Sequence, residues 1–281
     1  MRQSIQNLQG LLDTALNGLP PAITPDAVHR TRTAARRLRA LLCAFKRSLQ
    51  RSAFRHYAAA LQELAHDLDT LREADVTQHI LANLSRDYRG LSRVKLDGLK
   101  SEFVQSRTRA AGDLQSAMAT KRWPARLVKL RDAASDRALV VATHESMRSM
   151  TQRVLTRRRR RLRAALRYRG QGPRRLHKIR LKVKTLRYLL EQCESSGCDA
   201  VRAEVKQLRE LQDCLGELHD AWCLGRALRR YRRHHRRATT ELSTDIETRR
   251  AELFHRFRKH RKALRRLWRA ARNATVTRQD T

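Results

Sequence analysis

The sequence predicts an all-α protein built from two related helical bundles. It contains only 10 glycines and 5 prolines in 281 residues, so there are few points at which a helix must end. Apolar residues recur over long segments with the 3.6-residue period of an amphipathic helix. A stretch of eleven residues also occurs twice, at 29–39 and at 177–187. Such repetition indicates the duplication of a structural unit.

Both copies of this stretch fit the pattern His-basic-x-Arg-x-x-x-basic-x-Leu-Arg without a gap. Positions at offsets 0, 3, 7 and 10 share one face of a helix, so each copy predicts a row of cations along one helix edge. The two rows are His29, Arg32, Arg36 and Arg39, and His177, Arg180, Lys184 and Arg187. The apolar faces expected behind them, packed into the core, are Val28, Ala35, Leu38, Leu42 and Phe45, and Leu176, Ile179, Val183, Leu186 and Leu190.

In the first half of the chain, the clearest helix start is at Thr24-Pro25. Threonine suits the N-cap position, and proline suits the first helical position because its missing N–H would be unpaired there in any case. The helices expected in this half cover residues 4–17, 25–49, 51–84, 86–121 and 124–139.

The second half repeats this organisation. Pro173 precedes His177 by four residues, as Pro25 precedes His29. The helices expected here cover residues 143–169, 173–197, 199–235 and 240–272, followed by a flexible tail at 273–281. We therefore expect one domain at 1–272, with a first repeat at about 1–138 and a second at about 143–272.

The net charge of +36 is the strongest compositional signal. A surface with this charge repels itself and favours an anionic partner, such as nucleic acid, an anionic membrane or a polyphosphorylated molecule. The sequence has no apolar run long enough for a membrane span and no export signal. Its five cysteines form no CxxC pair, which favours reduced thiols in a cytosolic protein.

A second pair of segments follows the repeated stretches. Residues 68–74 (Leu-Asp-Thr-Leu-Arg-Glu-Ala) align with residues 215–221 (Leu-Gly-Glu-Leu-His-Asp-Ala). The doubled basic stretch, followed by Leu-Gly-x-x-basic-Asp, resembles the CHAD domain, the conserved histidine α-helical domain. The second copy is the closer match, since in the first copy Asp69 replaces the glycine and Glu73 replaces the aspartate.

The resemblance covers about residues 1–272. It implies two four-helix bundles around a basic central cavity, and binding of inorganic polyphosphate without catalysis or a cofactor. It also implies a cytoplasmic bacterial protein associated with polyphosphate granules. Many members carry an adjoining triphosphate-tunnel (CYTH) domain; this sequence has no β-rich segment for one and looks like a stand-alone member.

Arginine and lysine suit a chain of phosphates because they donate charge-assisted hydrogen bonds, and one arginine can bind two oxygens. The two histidines lie in the first turns of their helices, where the helix dipole also favours an anion. The expected polyphosphate-binding residues are His29, Arg30, Arg32, Arg36, Arg37, Arg39, His177, Lys178, Arg180, Lys184 and Arg187. The expected supporting residues are Arg160, Arg163, Arg167, Glu73, Asp220 and His219.

Glu73 and Asp220 are expected to pair with arginines of the repeated stretch and hold their guanidinium groups in place. We expect no metal site, because no acid or cysteine recurs at ligand spacing. The main alternative is a basic helical protein that binds or compacts nucleic acid, with nucleic acid also possible as a secondary partner. Against it, aromatic residues are only 5% of the chain, and no known nucleic-acid-binding motif is present. A phosphohydrolase or polyphosphate kinase would need a P-loop, a paired-carboxylate metal site or a nucleophile with its base.

Overall fold

The computed structural model confirms the all-α class. It describes residues 2–19, 23–76, 78, 93–120, 122–135, 147–194, 201–231 and 236–277. All the secondary-structure elements in these ranges are helices. The chain divides into two compact units, unit 1 (Met1–Thr151) and unit 2 (Gln152–Thr281).

The helices of unit 1 follow the order expected from the sequence. They are α1 (Arg2–Asn17), α2 (Pro25–Ala44), α3 (Arg51–Asp67), α4 (Arg93–Ala119) and α5 (Arg122–Ser135). A 3₁₀ turn (Lys46–Ser48) follows α2, and residues 69–76 are helical after α3. Helix α6 (Met147–Ala165) begins at the end of unit 1 and lies mostly in unit 2. Unit 2 continues with α7 (Pro173–Glu194), α8 (Arg202–Tyr231) and α9 (Arg236–Thr277).

The two helices that carry the repeated stretch begin at the prolines. At the start of α2, the hydroxyl oxygen of Thr24 accepts a hydrogen bond from the backbone N–H of Ala27 at 3.2 Å, and Pro25 is the first helical residue. This confirms the predicted N-cap. At the start of α7, the Gly172 carbonyl accepts from the N–H of Arg175 at 3.1 Å, and Pro173 again opens the helix.

Several helices end earlier than the periodicity predicted. Helix α2 stops at Ala44, and the chain turns so that both Phe45 and Leu49 are buried. Helix α6 stops at Ala165, not at residue 169, and the Tyr168 hydroxyl accepts a hydrogen bond from the Gly172 N–H at 3.0 Å in the following turn. These tertiary contacts outweigh helix propensity, which is a weak preference at each residue.

Other boundaries differ in the opposite direction or lie outside the described residues. Helix α5 begins at Arg122, ahead of Pro124, which is tolerated in a first turn. Helix α9 continues to Thr277, into the segment expected to be a tail. The predicted helical residues 77, 79–84, 86–92, 121, 136–139, 143–146, 195–197, 199–200 and 232–235 lie outside the described residues, as do 278–281 of the tail.

In unit 1, α2 packs against α1 and α3, and α5 packs against α1, α3 and α4. The predicted apolar face of α2 is buried: Val28, Ala35, Leu38 and Leu42 are all 0% exposed. Asp75, a buried acid of this unit, forms an ion pair. The Asp75 carboxylate accepts a hydrogen bond from Nε of Arg107 at 2.8 Å, and the same guanidinium donates to the carbonyl of Ile23 at 2.9 Å.

In unit 2, α8 packs against both α7 and α9. All five predicted core residues of α7 (Leu176, Ile179, Val183, Leu186 and Leu190) are buried. The buried carboxylate of Glu204 accepts two hydrogen bonds from Arg159, at 3.0 and 2.6 Å, and one from the indole N–H of Trp268 at 2.6 Å. This network joins α6, α8 and α9. Removing one partner from such a buried pair typically costs about 3–5 kcal/mol.

Two further findings bear on function. In the part of the chain that the structure describes, no helix is both long enough and apolar enough to cross a membrane. Among the described residues, Cys43, Cys193, Cys214 and Cys223 form no disulfide bond, and Cys198 lies outside these residues.

Candidate anion-binding site

The basic row of α7 lies along the flank that faces α8. His177, Arg180, Lys184 and Arg187 are all partly buried, which limits their motion and lowers the local dielectric. The apolar face of α7 beside them is in the core of unit 2. We call the first three of these residues the α7 row, because Arg187 has different contacts.

His219 on α8 completes this row from the neighbouring helix. Its ring centroid lies 5.2 Å from that of His177, with the two rings tilted by 43°. Burial first, and then the positive charges of Arg180, His177 and Lys184, lowers the pKa of His219 from 6.5 to about 4. His219 is therefore neutral at pH 7 in a strongly positive surrounding, which an incoming anion would relieve.

Gly216 lies one turn before His219 on α8, beneath Arg180. A Cβ atom built at Gly216 would be 4.0 Å from Nη2 of Arg180, which is an ordinary van der Waals distance. A small side chain would fit there without moving the guanidinium. The glycine itself therefore brings no charged group towards Arg180.

Arg187, the last residue of the basic row, is tied to its neighbours. Its Nε donates to the Gln212 side-chain oxygen at 2.9 Å, and its Nη1 pairs with Glu191. Its guanidinium also lies 4.7 Å from the ring centre of Tyr188. Because its side chain is only 11% exposed, Arg187 holds α7 to α8 and contributes less open charge than the α7 row.

Lys178 does not join the α7 row. It lies on the opposite flank of α7, in a groove of about 240 Å³ between α6 and α7. The groove is lined by Arg158, Arg161, Lys178, Leu181, Lys182 and Thr185. The 100° turn per residue on a helix already separates Lys178 from His177, so the sequence contained this information. The structure separates two basic surfaces that were predicted as one.

The equivalent row on α2 contacts a carboxylate. Asp69 pairs with Nη2 of Arg32, and it lies 3.5 Å from Nη2 of Arg36. Burial and then the charge of Arg36 lower the pKa of Arg32 from 12.5 to about 10, although Asp69 opposes this shift. Arg39, at the end of the row, donates to the side-chain oxygen of Gln62 at 2.8 Å. In unit 1 the central cations are therefore partly neutralised by Asp69.

The remaining predicted residues of α2 lie at its edges. His29 and Arg30 are exposed, and Arg30 pairs with the exposed Asp26 one turn earlier. Arg37 is partly buried. The structure thus brings Arg32 and Arg36 together around Asp69, with His29 on a more exposed part of the helix.

The predicted supporting residues have different settings. Arg163 donates to the backbone carbonyl of Trp268 at 3.2 Å and lies 5.0 Å from its ring centre, so it stabilises the packing of α6 on α9. Arg160 and Arg167 are exposed, Glu73 is exposed, and Asp220 is partly buried beside His219 in sequence.

The part played by Asp69 was not predicted from the sequence. Asp69 contacts Arg32 and Arg36, and the role of Glu73 in holding an arginine of the first row stays a prediction. A signal was available, because Asp69 replaces the glycine of the second copy. The role of Arg226 on α8 was not predicted either: its positive charge also lowers the pKa of His219.

The chemistry of this arrangement is anion binding. The α7 row and His219 offer guanidinium, ammonium and imidazole groups, all of which can donate hydrogen bonds to phosphate oxygens. Within the described ranges, no group of three or more His, Cys, Asp or Glu side chains is placed to hold a metal ion.

Comparison with known proteins agrees with this architecture. Residues 6–229 match the sequence model of the CHAD domain. Among solved structures, PptA from Streptomyces chartreusis is similar with a TM-score of 0.71 and 20% sequence identity, covering 95% of this chain and 97% of that one. The CHAD domain from the plant Ricinus communis is similar with a TM-score of 0.65 and 19% identity, covering 94% and 92%. No protein of curated function matched the sequence.

Proposed function

The chain belongs to the CHAD domain family, which is associated with polyphosphate binding in general, and from this premise we propose that it binds inorganic polyphosphate without catalysing a reaction. The observation that carries the proposal is the cluster formed by the α7 row and His219. Four groups from two helices meet there, and the pKa of His219 is lowered to about 4 by burial and by the cations around it. A polyanion is the ligand that such a cluster favours.

A linear polyphosphate suits the geometry of the α7 row. Neighbouring members of the row are three or four residues apart, which places their Cβ atoms about 5–6 Å apart on one face of the helix. Successive phosphates of a chain can then be bound by successive side chains. Because each contact displaces counterions, affinity should fall steeply as the salt concentration rises.

Unit 2 supplies the stronger half of the proposed site. Arg180 faces Gly216, whereas its equivalent Arg32 faces Asp69. A carboxylate next to the guanidinium competes with phosphate for the same N–H donors and cancels part of its charge. Association with polyphosphate granules in the bacterial cytoplasm is also part of the proposal.

The proposed absence of catalysis rests on the chemistry of the cluster. Its members are an arginine, a lysine and two imidazoles, which bind phosphate but provide neither a metal-activated water nor an activated nucleophile. Incubation of the purified protein with polyphosphate, with and without Mg²⁺, should release no orthophosphate above a protein-free blank. Release that is lost in Asp220→Asn would contradict this part of the proposal.

The central test compares two double variants on opposite flanks of α7. Arg180→Gln with Lys184→Gln removes two charges from the α7 row, and Lys178→Gln with Lys182→Gln removes two from the groove. A charge-assisted hydrogen bond contributes about 1.5–3 kcal/mol, so the first variant should lose about 100-fold in polyphosphate affinity. The second should lose less than about fivefold, since it changes only the general charge.

Affinity can be measured by competition with a labelled polyphosphate at fixed salt, with circular dichroism to verify that helicity is unchanged. Equal losses in the two double variants would show that binding follows net charge and not the α7 row. That result would overturn the proposed site.

A further inference from the structure

The second half of α9 carries a separate basic surface. Its outer face presents six exposed cations, which we call the α9 stripe: Arg258, Lys259, Lys262, Arg265, Arg266 and Arg269. Their spacing places them on one side of the helix, while Phe257, Leu264 and Trp268 on the other side are buried in unit 2. At 1.5 Å per residue, the stripe extends for about 17 Å.

The α9 stripe has no nearby acid in sequence. No Asp or Glu occurs from residue 253 to residue 279, and among the described residues none of the six side chains takes part in an ion pair. The preceding part of α9 is different, because Arg249 and Arg256 both pair with Glu217, at 3.2 and 3.1 Å. The positive potential of the stripe is therefore not balanced locally, which favours a polyanion on this face.

The proposed polyphosphate site does not account for this surface. The stripe lies on a different helix from the α7 row, and it lies beyond residue 229, where the match to the CHAD domain ends. It is also convex, being the outer surface of a helix, whereas the α7 row lies in the angle between two helices.

We propose that the α9 stripe binds duplex nucleic acid through backbone phosphates, without reading base sequence. An α-helix with its side chains is about 10–12 Å in diameter, and the major groove of B-DNA is about 12 Å wide. Arg258 and Arg265 lie along one edge of the stripe, and Lys259 and Arg266 lie along the other, by the 100° turn per residue. A helix in the groove would thus present cations to the phosphates on both walls.

Other anionic partners fit this face less well. A membrane-binding helix inserts apolar residues into the interface, but the apolar side of α9 is occupied by the core of unit 2. Single-stranded nucleic acid is usually held by stacking on aromatic side chains, and all six members of the stripe are Arg or Lys. A flexible polyphosphate chain loses conformational freedom when it binds, and the convex face of a single helix offers few contacts to offset that cost.

The test replaces all six members of the stripe with glutamine, which keeps helix propensity while removing the charge. The matched control replaces six exposed cations of unit 1 with glutamine: Lys46, Arg47, Arg51, Arg55, Arg109 and Lys129. Binding to a duplex of about 20 bp, two helical turns, is measured by fluorescence anisotropy over a salt series.

Each phosphate contact contributes about 0.9 to the slope of log affinity against log salt. The α9 variant should therefore lose about 5 from the slope, with at least a tenfold loss of affinity at fixed salt, whereas the control should lose less than half as much. A smaller variant, Lys262→Gln with Arg269→Gln, should lose about 2 from the slope and serves if the sixfold variant folds poorly.

Two further arms separate this proposal from the polyphosphate function. The α9 variant should lose no more polyphosphate affinity than the unit 1 control, which removes the same number of charges, and Arg180→Gln with Lys184→Gln should lose less than about fivefold in duplex affinity. Equal losses of duplex binding in the α9 variant and the unit 1 control would overturn the proposal. The proposal would also be overturned if the α9 variant lost binding to anionic phospholipid vesicles and kept its affinity for the duplex.

Discussion

Arg32 in unit 1 and Arg180 in unit 2 occupy equivalent positions of the repeated stretch, but their neighbours differ. Asp69 pairs with Arg32 and lies 3.5 Å from Arg36, whereas Gly216, at the position equivalent to Asp69, faces Arg180 and has no carboxylate of its own. The same row of cations is thus partly neutralised in one unit and reinforced by His219 in the other. One residue on the following helix changes what a shared motif can bind.

Among single substitutions that exchange this feature between the two units, the largest change in polyphosphate affinity is expected when unit 2 receives the carboxylate of unit 1. Gly216→Asp should weaken polyphosphate binding about 10-fold or more, because the new carboxylate competes for the donors of Arg180. Gly216→Asn has nearly the same shape without the charge and should weaken binding less than about threefold. Competition with labelled polyphosphate measures both. A similar loss in the two variants would mean that the site is sensitive to bulk at this position and not to charge.

The reciprocal change in unit 1 should strengthen binding to a smaller extent. Asp69→Asn removes the carboxylate from Arg32 and Arg36, and we expect polyphosphate affinity to rise about three- to tenfold. The control is Asp26→Asn, since Asp26 pairs with the exposed Arg30, which lies outside the row of Arg32 and Arg36. That change should alter affinity less than about twofold. An unchanged affinity in Asp69→Asn would place the working site in unit 2 alone.

The smallest effect is a dependence on pH through His219. Its pKa of about 4 in the folded protein lies below the ordinary 6.5, so the unfolded chain takes up the proton first as pH falls. The neutral His219 therefore favours the folded state fully above pH 6.5. As the pH falls towards 4, the free energy of unfolding decreases by about 1–3 kcal/mol through this group. A bound polyanion raises the pKa of His219, so affinity should increase about threefold or more from pH 7 to pH 5.

His219→Gln should reduce this increase, and His56→Gln should not, because His56 is an exposed residue of α3. The measurements are polyphosphate competition and thermal unfolding, each repeated over the pH range. An identical pH profile in both variants would assign the effect to other histidines, His177 among them.

The helices and their buried faces were largely predictable from local sequence. Thr24 and Pro25 mark the start of α2, and Val28, Leu38 and Leu42 follow at helical spacing and are buried. These features depend on a period of 3.6 residues and on capping chemistry, both of which are local. The points where α2 and α6 end were not predictable, since they depend on where Phe45 and Tyr168 find contacts.

The composition of the site was only partly predictable. The helical spacing of the basic residues identified the α7 row. It did not show that Arg187 is held by Gln212 and Glu191, or that Lys178 lies in a separate groove. How far the charge of a cation is neutralised depends on the residues that face this cation from the neighbouring helix. Such a residue can be 37 positions away, as Asp69 is from Arg32.

By itself, the sequence determined the all-α class, the two basic rows and the resemblance to the CHAD domain, because periodicity, proline positions and motif spacing are properties of the chain. Only the tertiary structure decided which carboxylate meets Arg32, how His219 reaches His177, and which arginines stabilise packing. The physical reason is that charge acts through distance and burial, and both are set when helices pack together.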